Sequence, residues 1–94
     1  MYYFVAQIKI NDSSEYQKYI DESEAVFSKF KGEYLAVDNE PEVLEGDWNY
    51  TRNVIIRFDN KEDFKDWYYS EEYQRILKYR LAAAVCDTVL VKGK

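Results

Sequence analysis

The sequence contains no histidine. No imidazole is available to act as general base, ligate haem or complete a Ser-His-Asp triad, and an ordinary zinc site is excluded. Any chemistry falls to carboxylates, tyrosine, arginine, lysine or shape alone. One cysteine, Cys86, precludes an internal disulfide or a thiolate metal cluster and fits a reducing cytoplasm, the expected location. One proline and three glycines leave no linker, repeat or low-complexity tract. No apolar run approaches the roughly 20 residues of a membrane span. The apolar N-terminal stretch is too short for a signal peptide before it meets the polar Asn11. Positive charge is also scarce: 18 acidic against 13 basic residues give a net charge of −5. Without clustered Lys and Arg to displace counterions, no nucleic-acid partner is expected, and an anionic membrane would repel the chain.

What is abundant is aromatic surface. The 94 residues hold ten Tyr, five Phe and two Trp. A chain this long makes about one domain, here residues 1–94, and buries only roughly 60% of its extended surface. So many large rings do not all fit in a core this thin, and some must line an interface or a pocket.

Tyr2 to Ile10 alternates as a strand does, with Phe4, Ala6 and Ile8 facing one way and Tyr3, Val5, Gln7 and Lys9 the other. Asp12 with Glu15 three residues on forms a capping-box pattern. Tyr16, Ile20, Phe27 and Phe30 then recur at helical spacing to Lys31, with Gly32 as a stop. Tyr34–Asp38 predicts a short strand. Pro41 interrupts it, Glu42–Glu45 offers a resumption, and Gly46-Asp47 signals a turn. Arg52–Phe58 is the clearest strand. Asn60 caps a second helix carrying Phe64, Trp67 and Tyr68, and Ser70 re-caps it, so the helix bends and restarts through Tyr73, Ile76 and Leu77. Asp87–Lys92 predicts a last strand.

This order is the split βαβ pattern: an α+β, ferredoxin-like βαββαβ fold with an antiparallel sheet and helices on one face. The expected helix-facing set is Phe4, Ala6, Ile8, Leu35, Val37, Val54, Ile56, Phe58, Val89 and Val91. The other face then collects Tyr3, Val5, Gln7, Tyr34, Ala36, Ile55, Arg57, Thr88 and Leu90. A sheet face left to water should be largely polar, and this one mixes aliphatics and Tyr with few hydrogen-bonding groups. A second copy of the same sheet is the simplest cover, so a homodimer is expected.

The chain resembles the uncharacterised Domain of Unknown Function 1330 family, within the dimeric α/β-barrel superfamily. The residues that carry the resemblance are Val43-Leu44-Glu45-Gly46-Asp47-Trp48, Arg52 with Val54-Ile55-Ile56, and Trp67-Tyr68 with Ser70 and Tyr73-Gln74. Arg80, Ala82-Ala83 and Val89-Leu90-Val91 with Gly93 extend it over the whole chain. Asn49-Tyr50 departs from the family, where a proline is expected near Tyr50. The resemblance implies a homodimeric, barrel-like pair of sheets with an internal cavity and no agreed reaction.

Candidate ligand-binding residues are Tyr3, Gln7, Tyr34, Trp48, Arg52 and Arg57. Arg52 could hold a carboxylate or pair with Glu45 or Asp47, and Trp48 could wall a pocket or fill the dimer interface. Tyr3, Gln7, Tyr34 and Arg57 fall on the inward sheet face, where each polar tip needs a partner. Arg57 needs an anion, supplied by a ligand carboxylate, by Asp38 or by a partner-chain acid. Trp67, Tyr68 and Tyr73 read as core, Ser70 as a cap and Cys86 as a small buried residue. Arg80, near a helix end, is placed to meet terminal carbonyls. The pairs Glu40/Glu42 and Glu45/Asp47 lack calcium-loop spacing, so no metal and no cofactor are expected.

Two functions remain open. One is a ligand-binding module holding a small anionic or aromatic molecule between the two sheets. The other, suggested by the superfamily resemblance, is a cofactor-independent monooxygenase- or isomerase-like enzyme. Catalytic residues stay unassigned.

Overall fold

Phe4, Ala6 and Ile8 alternate with half-buried and exposed neighbours along β1 (Tyr2–Ile10), and this alternation sets the layering of the whole chain. The computed structural model describes residues 1–94. After β1 come α1 (Ser13–Phe27), β2 (Gly32–Asp38), β3 (Arg52–Phe58), α2 (Lys61–Tyr68), α3 (Glu71–Ala83) and β4 (Ala84–Lys92). The strands form one antiparallel sheet in the order β2-β3-β1-β4, which places β1 and β3 centrally and β2 and β4 at the edges. The architecture is the expected α+β, ferredoxin-like one. No helix is long and apolar enough to cross a membrane.

Helix starts follow the cap residues. Asp12 Oδ1 accepts from the Glu15 N–H at 3.1 Å, and Asn60 Oδ1 accepts from the Asp63 N–H at 2.8 Å. Ser70 separates α2 from α3: its Oγ donates to the Trp67 carbonyl at 2.8 Å and accepts from the Tyr73 N–H at 3.1 Å. One hydroxyl thus ends one helix and starts the next. The core between sheet and helices joins Phe4, Ile56 and Phe58 to Tyr16, Phe27, Phe64, Trp67, Tyr73 and Ile76. Trp67 is its hub, with the Phe4, Phe27, Phe58 and Tyr73 ring centroids 5.5, 5.6, 5.7 and 4.3 Å away. Phe4 and Phe27 meet Trp67 edge-on, Tyr73 is tilted and Phe58 stacked against it, and ring pairs of this kind add stabilisation beyond the area they bury.

Several expectations about the sheet need correction. In β4 the alternation has the opposite phase: Cys86, Thr88 and Leu90 pair with Ile8, Ala6 and Phe4 on the helix side. Val89 and Val91 therefore face outward and are 57% and 45% exposed. The large rings already fill the core, so the inward positions of this edge strand take Cys and Thr while the valines point away. In β2 the register shifts between Tyr34 and Ala36, a β-bulge that adds one residue opposite β3. Tyr34 and Val37 then pair with the helix-side residues Ile56 and Val54, while Ala36 pairs with Ile55 on the other face. Tyr34 thus moves to the helix side, Leu35 sits at the bulge, and Leu35 and Val37 are each 48% exposed. The segment 42–45 forms no strand.

Helix α1 ends at Phe27, short of Lys31, and Gly32 begins β2 instead of capping the helix. A Cβ on Gly32 would lie 2.5 Å from Phe27 Cζ and 2.7 Å from Phe58 Cε1. Glycine is present here because two rings close over the backbone. Cys86 lies within β4, not before it, and is half-buried.

Candidate functional site

The helix layer and the sheet leave a cavity of about 30 Å³ between them. Phe4, Ala6, Ile8, Val54 and Ile56 form its floor, and Tyr16, Tyr19 and Ser23 reach it from α1. Trp67, Arg80, Tyr34 and Arg52 complete the wall. Positions 16, 19 and 23 fall on one face of α1, three and four residues apart, and Tyr73 and Arg80 lie two turns apart on one face of α3. Both faces point at the sheet, so the cavity is where polar members of two otherwise apolar stripes converge.

The polar groups form a chain of contacts. The Tyr16 and Tyr19 ring centroids are 5.5 Å apart. The Tyr19 and Tyr73 hydroxyls are hydrogen-bonded at 2.8 Å. Arg52 Cζ stands 5.9 Å from the Tyr16 ring centroid and Arg80 Cζ stands 5.7 Å from that of Tyr19. Arg80 is only 3% exposed, and its Nε and Nη1 are buried with no hydrogen-bond partner. Arg52 donates from Nη1 to Asn39 Oδ1 at 3.1 Å while its Nε is buried and unpaired, as is Trp67 Nε1.

No aspartate or glutamate lines the cavity. Burial pushes the phenols of Tyr16 and Tyr73 up, against the pull of Arg80 on both and of Arg52 on Tyr16. Burial and the neighbouring Tyr73 hold Tyr19 well above the ordinary tyrosine range, and burial pushes Tyr34 up to about 12. Burial works against the charge of Arg80, yet its neighbours Tyr73 and Tyr19 shift the balance the other way, and its pKa lies above the usual arginine value. At neutral pH the cavity therefore presents two guanidinium cations and protonated phenols. Such a site can hold an anion, donate hydrogen bonds to it and stabilise negative charge that develops on it.

Of the six candidate residues, the structure brings Tyr34 and Arg52 to this cavity. Tyr3, Gln7 and Arg57 lie on the opposite face of the sheet, in register with Val91, Asp87 and Tyr3 respectively. There the Tyr3 hydroxyl donates to Met1 Sδ at 2.7 Å, and Arg57 pairs with Asp59 at 2.9 Å. The anion that Arg57 needs thus comes from its own strand end. Trp48 stacks edge-on against Tyr50, ring centroids 5.1 Å apart, and Tyr50 donates to the Asp87 carboxylate. That contact ties the β2–β3 loop to β4.

Tyr16, Tyr19 and Arg80 are the site residues that reading the sequence for sheet faces misses. A signal for Arg80 exists: it falls on the same helical face as Tyr73, Ile76, Leu77 and Ala83, all buried. A cation inside an apolar stripe points to the core, and although Arg80 occupies the last turn of α3, its side chain turns inward instead of staying in solvent at the helix end.

The model of the family described as Domain of unknown function (DUF1330) matches residues 1–94, and the chain belongs to that family. No curated protein matches the sequence significantly. Among solved structures, a protein of unknown function from Rhodopseudomonas palustris is 15% identical, with a TM-score of 0.83 over 99% of this chain and 82% of its own. A dimeric ferredoxin-like protein of unknown function from Jannaschia sp. CCS1 is 11% identical, with a TM-score of 0.76 over 98% of each chain. SnoaB, a cofactor-independent oxygenase from Streptomyces nogalater, is 13% identical, with a TM-score of 0.70 over 99% of this chain and 92% of its own. At these identities the likeness is one of fold.

Proposed function

We propose that this DUF1330 member is a single-domain, homodimeric small-molecule-binding protein whose ligand enters the cavity between sheet and helices. The observation that carries the reading is Arg80, a buried cation that lines the cavity and whose Nε and Nη1 have no protein partner. Leaving a buried charge unanswered costs several kcal/mol, and a bound anion removes that penalty. The sequence pattern favours the space between two sheets as the pocket. The polar groups supporting a ligand lie instead on the helix side, and Arg57 on the sheet face already has Asp59.

The dimer is supported by the outward sheet face. Val5 and Ile55 lie there with Val85 and Val89, each 57% exposed, and Val91. A patch of this kind favours a covering partner, and the ferredoxin-like neighbour from Jannaschia is dimeric. Light scattering at micromolar concentration tests it, with twice the chain mass expected and the monomer mass overturning it.

A thermal-shift screen against formate, nitrate and other small anions, sized to a cavity of about 30 Å³, tests the ligand reading. Stabilisation that disappears in Arg80→Gln is expected. No response from any compound overturns it.

A cofactor-independent oxygenase-like enzyme is the second reading, supported by the fold shared with SnoaB. The unpaired Trp67 Nε1 and the protonated Tyr16 and Tyr19 phenols suit stabilisation of an enolate. Oxygen uptake on adding a quinol, lost in Arg80→Gln, would favour it over simple binding.

A further inference from the structure

Arg80 and Trp67 line the same cavity, are 3% and 1% exposed, and both keep hydrogen-bond donors without a partner. The donors are Nε and Nη1 of Arg80 and Nε1 of Trp67. The tyrosines add one more. Tyr19 and Tyr73 share a single hydrogen bond between two hydroxyls, which leaves one hydroxyl proton unused, and Tyr19 lines the cavity. Arg52 is half-buried and already donates to Asn39 Oδ1, so the charge in need of an answer is that of Arg80. Everything left over here is a donor, and no aspartate or glutamate lines the space. What these groups lack is a single negative charge rich in acceptors.

The rest of the wall fixes the size and shape of that charge. Phe4, Ala6, Ile8, Val54 and Ile56 offer no hydrogen bond to whatever lies against them. An acceptor turned toward this floor would be buried unpaired, which is costly. A water needs roughly 10–15 Å³ of such space, so about 30 Å³ takes roughly two or three heavy atoms. The occupant is therefore very small, with acceptors on one edge and none on the other.

We propose that the cavity is a site for formate, the smallest carboxylate, with its oxygens on Arg80, Trp67 and the tyrosine pair and its C–H edge on the apolar floor. An ionised carboxylate accepts at about four lone-pair sites, which matches the donor groups left over. Bonds from a guanidinium to an ionised oxygen are the strong kind, and more so out of water. Related anions fit less well. Acetate adds a methyl group that the space does not hold, and nitrate brings a third oxygen against the apolar floor. Chloride takes about one water's share and leaves the remainder empty. So small a ligand cannot bind tightly: at the highest binding energy known per heavy atom, formate reaches a dissociation constant on the order of 1 mM.

This inference rests on the cavity being the ligand site, and the experiment separates the two. Formate, nitrate, chloride and acetate would each be titrated into isotope-labelled protein, with sodium sulfate, too large for the cavity, holding the ionic strength constant. The readout is the indole N–H resonance of Trp67. That of Trp48, which does not line the cavity, is the internal control, and Trp48→Phe assigns the pair. Formate is expected to shift Trp67 saturably in the millimolar range, at least about tenfold tighter than the other three anions, while Trp48 stays still. Arg80→Gln, its fold checked by circular dichroism, should lose the response. The selectivity is read on the wild-type chain, so the test stands even if Arg80→Gln does not fold. Nitrate, chloride or acetate binding as tightly as formate overturns the formate site and leaves the cavity reading intact. A formate response that survives in folded Arg80→Gln overturns both. Silence of Trp67 toward all four anions also overturns both.

Discussion

The hydroxyls of Tyr19 and Tyr73 meet at 2.8 Å and are the polar link between α1 and α3 inside the protein. Tyr73 is 1% exposed, so its hydroxyl has no water to turn to if the partner is removed. Tyr19→Phe should destabilise the fold by about 1–3 kcal/mol, the penalty for a buried polar group left unpaired. Replacing both with Phe should be milder than the sum of the single changes, because the orphaned hydroxyl goes as well. Urea denaturation of the two single variants and the double variant checks this. Additive losses would show that the pair contributes nothing as a pair.

Alkaline pH acts on the same cluster. Tyr34 is pushed up to about 12 and Tyr19 is held well above the ordinary range, chiefly by burial. Both groups keep their proton longer in the folded state than in the unfolded chain, whose tyrosines titrate near pH 10. Folded chains thus bind more protons in this window, and the associated stability is fully present below about pH 10 and is lost as pH rises toward 12. Tyrosinate absorbance should show a class of phenols that ionises together with the loss of the folded circular dichroism signal. Ionisation of Tyr16, Tyr19, Tyr34 and Tyr73 with the fold intact would contradict it.

At Gly32 the argument is steric. Any Cβ there meets the Phe27 and Phe58 rings at 2.5 and 2.7 Å, and Phe58 is fully buried. Gly32→Ala should therefore destabilise by about 1–3 kcal/mol, as overpacked cores do. Shortening the obstructing ring with Phe27→Leu should lessen the effect of the alanine. Thermal unfolding of the four chains of this cycle measures the coupling, and no coupling would mean that the rings move aside freely.

The residues involved explain how far the sequence could be read. Strict alternation in β1 and β3, the caps Asp12 and Asn60, and the break at Ser70 are local signals, and each produced the element it predicts. Faces failed at the edges, where the partner strand sets the phase. Nothing near Leu35 announces a bulge, and a run of valines in β4 looks inward until its register with Phe4, Ala6 and Ile8 is known. The site suffered in the same way. Arg52 and Tyr34 were legible as candidates, Tyr34 for the wrong face, because their neighbours come from α1 and α3, remote in sequence. Convergence of Tyr16, Tyr19 and Arg80 depends on helix packing, which periodicity alone does not specify.

The proposed dimer makes its own demand on β4. Val89 pairs with Val5 on the outward face and is 57% exposed in the protomer. A charge placed there touches no core residue, so Val89→Lys should change protomer stability by no more than about 0.5 kcal/mol, as exposed substitutions usually do. Burying that ammonium between two apolar sheet faces without a counterion would cost several kcal/mol, which a small domain's interface does not easily offset. Light scattering should therefore report the monomer mass for Val89→Lys with unchanged circular dichroism. A dimer persisting at micromolar concentration would move the interface away from this face, toward the exposed apolar loop residues Val43 and Leu44.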